Sequence, residues 1–303
     1  MNTRVSSIAS EIAELKKILA SIPDEALIER FGFEQRLERA QAEYLQLQAP
    51  GKAPESLRLT FRGAPILGSR GMTADFAGKA SSSFADAFAA ILAGINSTLR
   101  YKGPIPDRSK YPLMITGTAV GSFGFEMELP TDKDLFADYA NADEAVELFR
   151  NLLMVSAEGT DDEIADIVQE IHPRAVRKVA DFLDVLQTSD AWCGLEFRDR
   201  YFKYIDLEQL KSSKSRLTHE NIDERDETYF GEFQGVLPQS RNFEFKNAVD
   251  GSIIRGKVDQ QIDDPDILNR IWLYRAVTVK FSAVQVGQGR PRFTLISLDH
   301  IKV

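Results

Sequence analysis

The sequence predicts an α+β protein in three parts: an N-terminal helical hairpin (residues 1–48), a central α+β domain with antiparallel hairpins (57–217) and a small five-stranded barrel (227–303). Three observations predict it. Apolar side chains recur at helical spacing as far as Leu45, alternating stretches then come in pairs with helical ones between them, and the last quarter reads almost wholly as short strands. Paired strands suit antiparallel hairpins, whereas a parallel sheet needs a single strand before each helix.

In the first part, Ile8, Ile12, Leu15 and Leu19 form one apolar stripe and Leu27, Phe31, Leu37, Tyr44 and Leu45 a second. Ser21-Ile22-Pro23-Asp24 separates them, because proline suits a first helical turn and acids favour a helix start. A hairpin this small buries little alone, so it is expected to dock on the body or to pair with a second copy. Gln48 to Ser56, with Pro50, Gly51 and Pro54, reads as a linker.

Leu57, Leu59 and Phe61 alternate with polar residues as in a half-buried strand, and Ile66-Leu67 reads as a return strand closed by Gly68-Ser69-Arg70-Gly71. A helix follows from Thr73, with Phe76, Phe84, Phe88, Ile91, Leu92 and Ile95 on one side. Leu113 to Leu129 is a second hairpin, whose later half puts Phe123, Phe125, Met127 and Leu129 on one face and Glu126 and Glu128 side by side on the other. Helices are expected over 141–158 and 161–188, the second started by a Thr160/Glu163 capping box and split near His172 by Pro173. Gly194–Phe197 and Tyr201–Ile205 read as strands, Leu207 starts a short helix, and the charged stretch Thr218–Asp226 reads as the boundary of the tail.

Within the tail, strands Thr228–Val236, Asn242–Lys246 and Ser252–Val258 precede Asp263-Asp264-Pro265-Asp266, which opens a short helix through Asn269. Asp250-Gly251 is the hairpin turn between the second and third strands. Arg275–Val284 and Arg292–Ile301 complete the set on either side of Gly287-Gln288-Gly289. Five strands with one helical turn after the third is the outline of an OB-like barrel, a fold used mostly for binding.

The 303 residues are 43% hydrophobic, enough for two or three cores. A single Cys193 excludes an internal disulfide and a thiolate zinc site, which makes the cytoplasm the expected compartment. The N-terminus is charged through its first two turns, unlike a signal peptide, and no run of about 18 uncharged apolar residues suggests a membrane span. From Asp226 to Val303 ten acidic residues meet ten basic ones, so the net charge of −9 belongs to the chain before them. Nucleic acid, if bound at all, is expected at the tail. Arg255, Lys257, Arg275, Lys280, Arg290 and Arg292 are its candidate phosphate contacts, and Tyr229, Phe243, Phe245 and Phe281 include candidates for base stacking. The competing reading has Phe243 and Phe245 filling the barrel and acidic neighbours balancing the basic residues. Arg70, in a glycine-flanked turn before a helix, is a further candidate anion contact.

No catalytic or metal-binding motif stands out, and no cofactor is expected. Gly117, Gly121 and Gly124 precede a strand, where a phosphate loop needs a helix. Cys193 reads as a buried structural thiol, and His172, His219 and His300 match no metal spacing. The carboxylates of Glu126 and Glu128, Asp132 and Asp134, or Asp263, Asp264 and Asp266, with the string Glu244-Phe245-Lys246, leave a divalent-metal nuclease as the alternative.

The string RGAPILGSRGM (Arg62–Met72), an Ala-rich helix and ITGTAVGSFGFEMELP (Ile115–Pro130) together resemble a pattern of uncharacterised bacterial proteins. That resemblance spans Leu57 to Leu129, implies a bacterial origin and brings no activity with it. The function expected is a non-enzymatic binding or regulatory protein. It would assemble with itself or a partner protein through the hairpin and engage protein or nucleic acid through the barrel.

Overall fold

A computed structural model of the chain describes residues 12–20, 22–23, 30, 33–34, 36–38, 40–41, 56–96, 98–99, 103–106, 112–119, 123–129 and 141–302. They fall into two compact units, Met1–Glu55 and Ser56–Val303. In the first, residues 12–20 are helical, as are 30, 33–34, 36–38 and 40–41, and Leu15 and Ala40 are buried. Arg30 donates to the Ile22 carbonyl at 3.0 Å and pairs with Glu34 one turn on. The rest of the expected hairpin, including Ile8, Leu27, Phe31, Tyr44 and Leu45, and the linker at 48–55 lie outside the described residues.

The second unit opens with β1 (Ser56–Gly63), whose alternation buries Leu57, Leu59 and Phe61 on one face and sends Arg58, Thr60 and Arg62 to the other. β1 is the middle of a fully antiparallel sheet ordered β2-β3-β1-β4-β5, formed with β2 (Met114–Ala119), β3 (Gly124–Glu128), β4 (Ala191–Phe197) and β5 (Arg200–Lys203). Five helices share its core: α1 (Ala74–Ile95), α2 (Ala142–Glu158), α3 (Asp161–Glu170), α4 (Pro173–Thr188) and α5 (Leu207–Arg216). The expected face of α1 is the one that packs: Phe76, Phe84, Phe88, Ile91 and Leu92 are buried, and Phe84 meets Phe149 of α2 at 4.9 Å and Phe182 of α4 at 5.6 Å. Each such ring contributes about 2–3 kcal/mol by leaving water.

Local signals set the helix ends. Thr160 and Glu163 exchange both hydrogen bonds of the capping box at the start of α3. Pro173 starts α4 as a separate helix, with His172 Nδ1 accepting the Arg174 N–H at 3.1 Å.

The return strand at Ile66-Leu67 does not form. A single bridge joins Ile66 to Met72, and the chain passes into α1. The reason lies in the sheet: both edges of β1 are already taken by β3 and β4, so a hairpin partner after Gly63 has no edge to join.

Beyond α5 the chain closes a five-stranded barrel from β6 (Ile222–Leu237), β7 (Asn242–Asn247), β8 (Ile253–Val258), β9 (Ala276–Val286) and β10 (Arg292–Leu295). Neighbours are antiparallel except β8 and β10, which run parallel, and β10 to β9 completes the ring. A two-residue β11 (Ile301–Lys302) lies beside β9. Between β8 and β9 there is one wide helical turn, Leu268–Trp272, in place of the helix expected from Asp263 to Asn269. Asn269 explains the arrangement, since its side chain both accepts from Val236 N and donates to Val236 O at 2.9 Å.

β6 also begins earlier than its charge suggests. Its first half, read as a boundary, pairs with β9 as far as Ile222 opposite Val286, and both of those residues belong to the core of the body. Most of the intervening charges are satisfied laterally: Arg225 binds Asp223, Glu227 at 2.6 Å and Gln285 at 3.1 Å, and Asp226 binds Lys280 at 3.0 Å. Among the described residues no helix is long and apolar enough to cross a membrane.

Candidate functional site

The barrel meets the body along α3, and three of the expected phosphate contacts are found there. Lys257 binds Glu170 at 2.9 Å, Arg292 binds Asp166 at 2.5 Å and Asp162 at 3.2 Å, and the Arg290 N–H donates to Asp162 at 2.9 Å. Asp161 accepts the Gln288 N–H, and Gln169 donates to the Phe293 carbonyl at 2.8 Å. These bonds hold the carboxyls of Asp161 and Asp162 below the ordinary range; the Gln288 N–H and then Arg216 act on Asp161, and the Arg290 N–H acts first on Asp162.

The remaining candidates are dispersed. Arg255 pairs with Glu244 at 2.9 Å across β7 and β8, and Lys280 pairs with Asp226 at 3.0 Å across β6 and β9. Arg275 is exposed just before β9, and Arg70 is exposed in the turn before α1. Phe243, Phe245 and Phe281 are interior, with Phe243 stacked on Phe281 at 4.9 Å, so they fill the barrel. Tyr229 is half-buried, edge-on to Phe293, and donates to Glu227; burial first and that bond second push its hydroxyl up to about 12.

The polar face of the body sheet brings Glu126, a candidate carboxylate, together with residues that motif reading passed over. Register aligns Gly117, Glu126, Arg58, Glu196 and Tyr201 in one row across all five strands. Arg58 lies between the carboxylates, 3.3 Å from Glu126 and 3.5 Å from Glu196. The next rows hold Thr60, Gly194 and Lys203, then Arg62 opposite Trp192. A Cβ at Gly194 would lie 3.2 Å from Thr60 Oγ1 and 3.3 Å from the Tyr201 hydroxyl, so glycine lets those groups close over the strand. The Trp192 indole N–H is buried without a hydrogen-bond partner. The signal was present as alternation in Arg58-x-Thr60-x-Arg62 and Trp192-x-Gly194-x-Glu196, but each strand's partner had to be known to combine them.

Four of the candidate carboxylates are engaged by arginines. Arg58 holds Glu126, Arg255 holds Glu244, and Arg270 holds Asp264 and Asp266, while Asp132 and Asp134 lie outside the described residues. Among the described residues no three His, Cys, Asp or Glu side chains converge as metal ligands would. Cys193 is buried, which pushes its thiol far up and keeps it protonated. No protein-family model, curated protein or solved structure matches the chain.

Proposed function

We propose that this protein is a recognition module without a bond-breaking step of its own, engaging a partner protein through the barrel and assembling through its N-terminal helices. The strand order β6-β7-β8-β10-β9-β6, with β8 and β10 the one parallel pair, supports an OB-like reading of the barrel. In such folds the second and third strands and the loops between the first and second and between the fourth and fifth commonly meet the ligand. Here the last of these is held by α3, which leaves β7, β8 and the β6–β7 loop.

Charge placement carries the choice of a protein partner. Arg255, Lys257, Lys280 and Arg292 are each spent on a carboxylate, so a phosphate backbone would have to displace four ion pairs before gaining its own. Near the end of the β7–β8 hairpin, by contrast, Phe230, Val249 and Ile253 stand 52%, 86% and 44% exposed. They are neighbours: the Phe230 carbonyl accepts the Ala248 N–H, and Ile253 lies opposite Lys246. Such a group suits a protein surface with a matching apolar patch. A bacterial, cytoplasmic setting belongs to the same proposal, supported by the sequence resemblance and by the lone thiol being buried.

Affinity capture should retain a protein that Phe230→Glu and Ile253→Glu both lose. Labelled single- and double-stranded DNA and RNA should show no saturable binding at low salt and no cleavage with Mg or Mn. Tight, salt-sensitive nucleic-acid binding would reassign the barrel to phosphate. Cleavage abolished by EDTA and by Glu126→Ala or Glu244→Ala would replace the proposal with a nuclease.

A further inference from the structure

Between α3, α4 and the first residues of β6 lies a cavity of about 260 Å³. Its floor is apolar, made by Val168 of α3, Val176 of α4, Leu217 and Ile222. Its rim carries opposite charges from its two walls, Arg177 on the helical side and Glu224, on the same strand face as Ile222, on the other, with His219 and the Asp223 backbone completing the lining. Asp223 is bound by Arg225. The side chains of Arg177 and Glu224 make no hydrogen bond or ion pair with another described residue. That sets them apart from Arg216, Arg225 and Arg292 nearby, each of which is paired.

We propose that this cavity binds a small zwitterion with a short apolar tail, an α-amino acid of leucine or methionine size. The electrostatics select against the simpler ligands. A purely apolar molecule would take water from Arg177 and Glu224 and give nothing back. A lone carboxylate would suit Arg177 but face Glu224, and a lone amine would suit Glu224 but face Arg177. A ligand with both charges answers both walls while its tail covers the floor. Size agrees, because the volume falls just below the range of roughly 300–1,000 Å³ typical of drug-sized sites. Body and barrel each supply a wall, so the bound molecule also ties β6 to α4 and stabilises their contact.

The test is calorimetric titration of the full chain with L-leucine and L-methionine, and with isovalerate and isopentylamine, which keep the tail and one charge. At least one amino acid binds and raises the unfolding midpoint, and the singly charged analogues bind about tenfold weaker or worse. Arg177→Leu and Glu224→Gln, both at exposed positions, each weaken that amino acid by about tenfold while the unliganded midpoint stays put. No heat and no midpoint shift with either amino acid at about 10 mM overturns the assignment. So does equal affinity for isovalerate, or affinity unchanged in both variants. The readout is ligand binding and not partner capture, so this inference and the proposed function fail separately.

Discussion

Asp161 takes the backbone N–H of Gln288 at 3.1 Å on one carboxylate oxygen and the Arg216 guanidinium at 3.0 Å on the other. The first residue of α3 thus joins the loop between β9 and β10 to the last residue of α5. Asp162 adds the Arg290 N–H. Both carboxylates sit in the first turn of a helix, where the backbone dipole also favours negative charge.

Acid should loosen this joint. The folded-state values of Asp161 and Asp162 lie below the ordinary 3.8, so their bonds contribute stability above that value, and the contribution is lost as pH falls through the lowered values. Thermal melts of Asp161→Asn/Asp162→Asn against wild type should show a lower midpoint at neutral pH, with the gap closing as pH falls below the ordinary 3.8 and through the lowered values. A gap that persists in acid would mean that the charges are not what holds the joint.

Gly287 is the residue that permits the approach. It takes φ +50, and a Cβ there would lie 2.4 Å from Asp161 Oδ2. Gly287→Ala should cost about 1–3 kcal/mol in urea unfolding. A smaller loss in an Asp161→Ala background would locate the cost in that contact.

Inside the barrel, Phe281 touches the rings of Tyr229, Phe233, Phe243, Phe245 and Phe293. Phe281→Ala should cost about 3–5 kcal/mol through the cavity left behind. Its core is separate from that of the body, so hydrogen exchange should quicken in β7 and β8 well before it does in α1.

Arg58→Met leaves Glu126 and Glu196 on one face of the sheet without their shared cation. All three side chains are part-exposed, so water screens the loss to about 0.5–1 kcal/mol. Glu126→Gln in the same background should return part of it, measured by the same urea titration.

How much of this was legible depends on how local the signal is. The packed face of α1, the capping box at Thr160 and the split at Pro173 each follow from a few adjacent residues, and each is found as expected. The five barrel strands follow from alternation and from the Asp250-Gly251 turn. What was hidden is long-range. Nothing near Lys257 points to Glu170, 87 positions earlier, or near Arg292 to Asp166, 126 positions earlier, so their pairing could not be read from either segment. The row through Arg58 needed the register of five strands. The start of β6 was hidden because charged residues follow one another as readily in a solvated linker as in a strand most of whose charges are paired.

The central position of β1 has a kinetic consequence. Its partner β4 lies roughly 130 residues downstream, so that pairing closes a long loop, whose entropy is lost before the contacts offset it. In a growing polypeptide β3 arrives early enough to cover one flank of Leu57, Leu59 and Phe61, while the other flank waits for three helices to be made. Late completion of this sheet is accordingly the expectation, with the vacant flank of β1 the edge at which misassembly would begin.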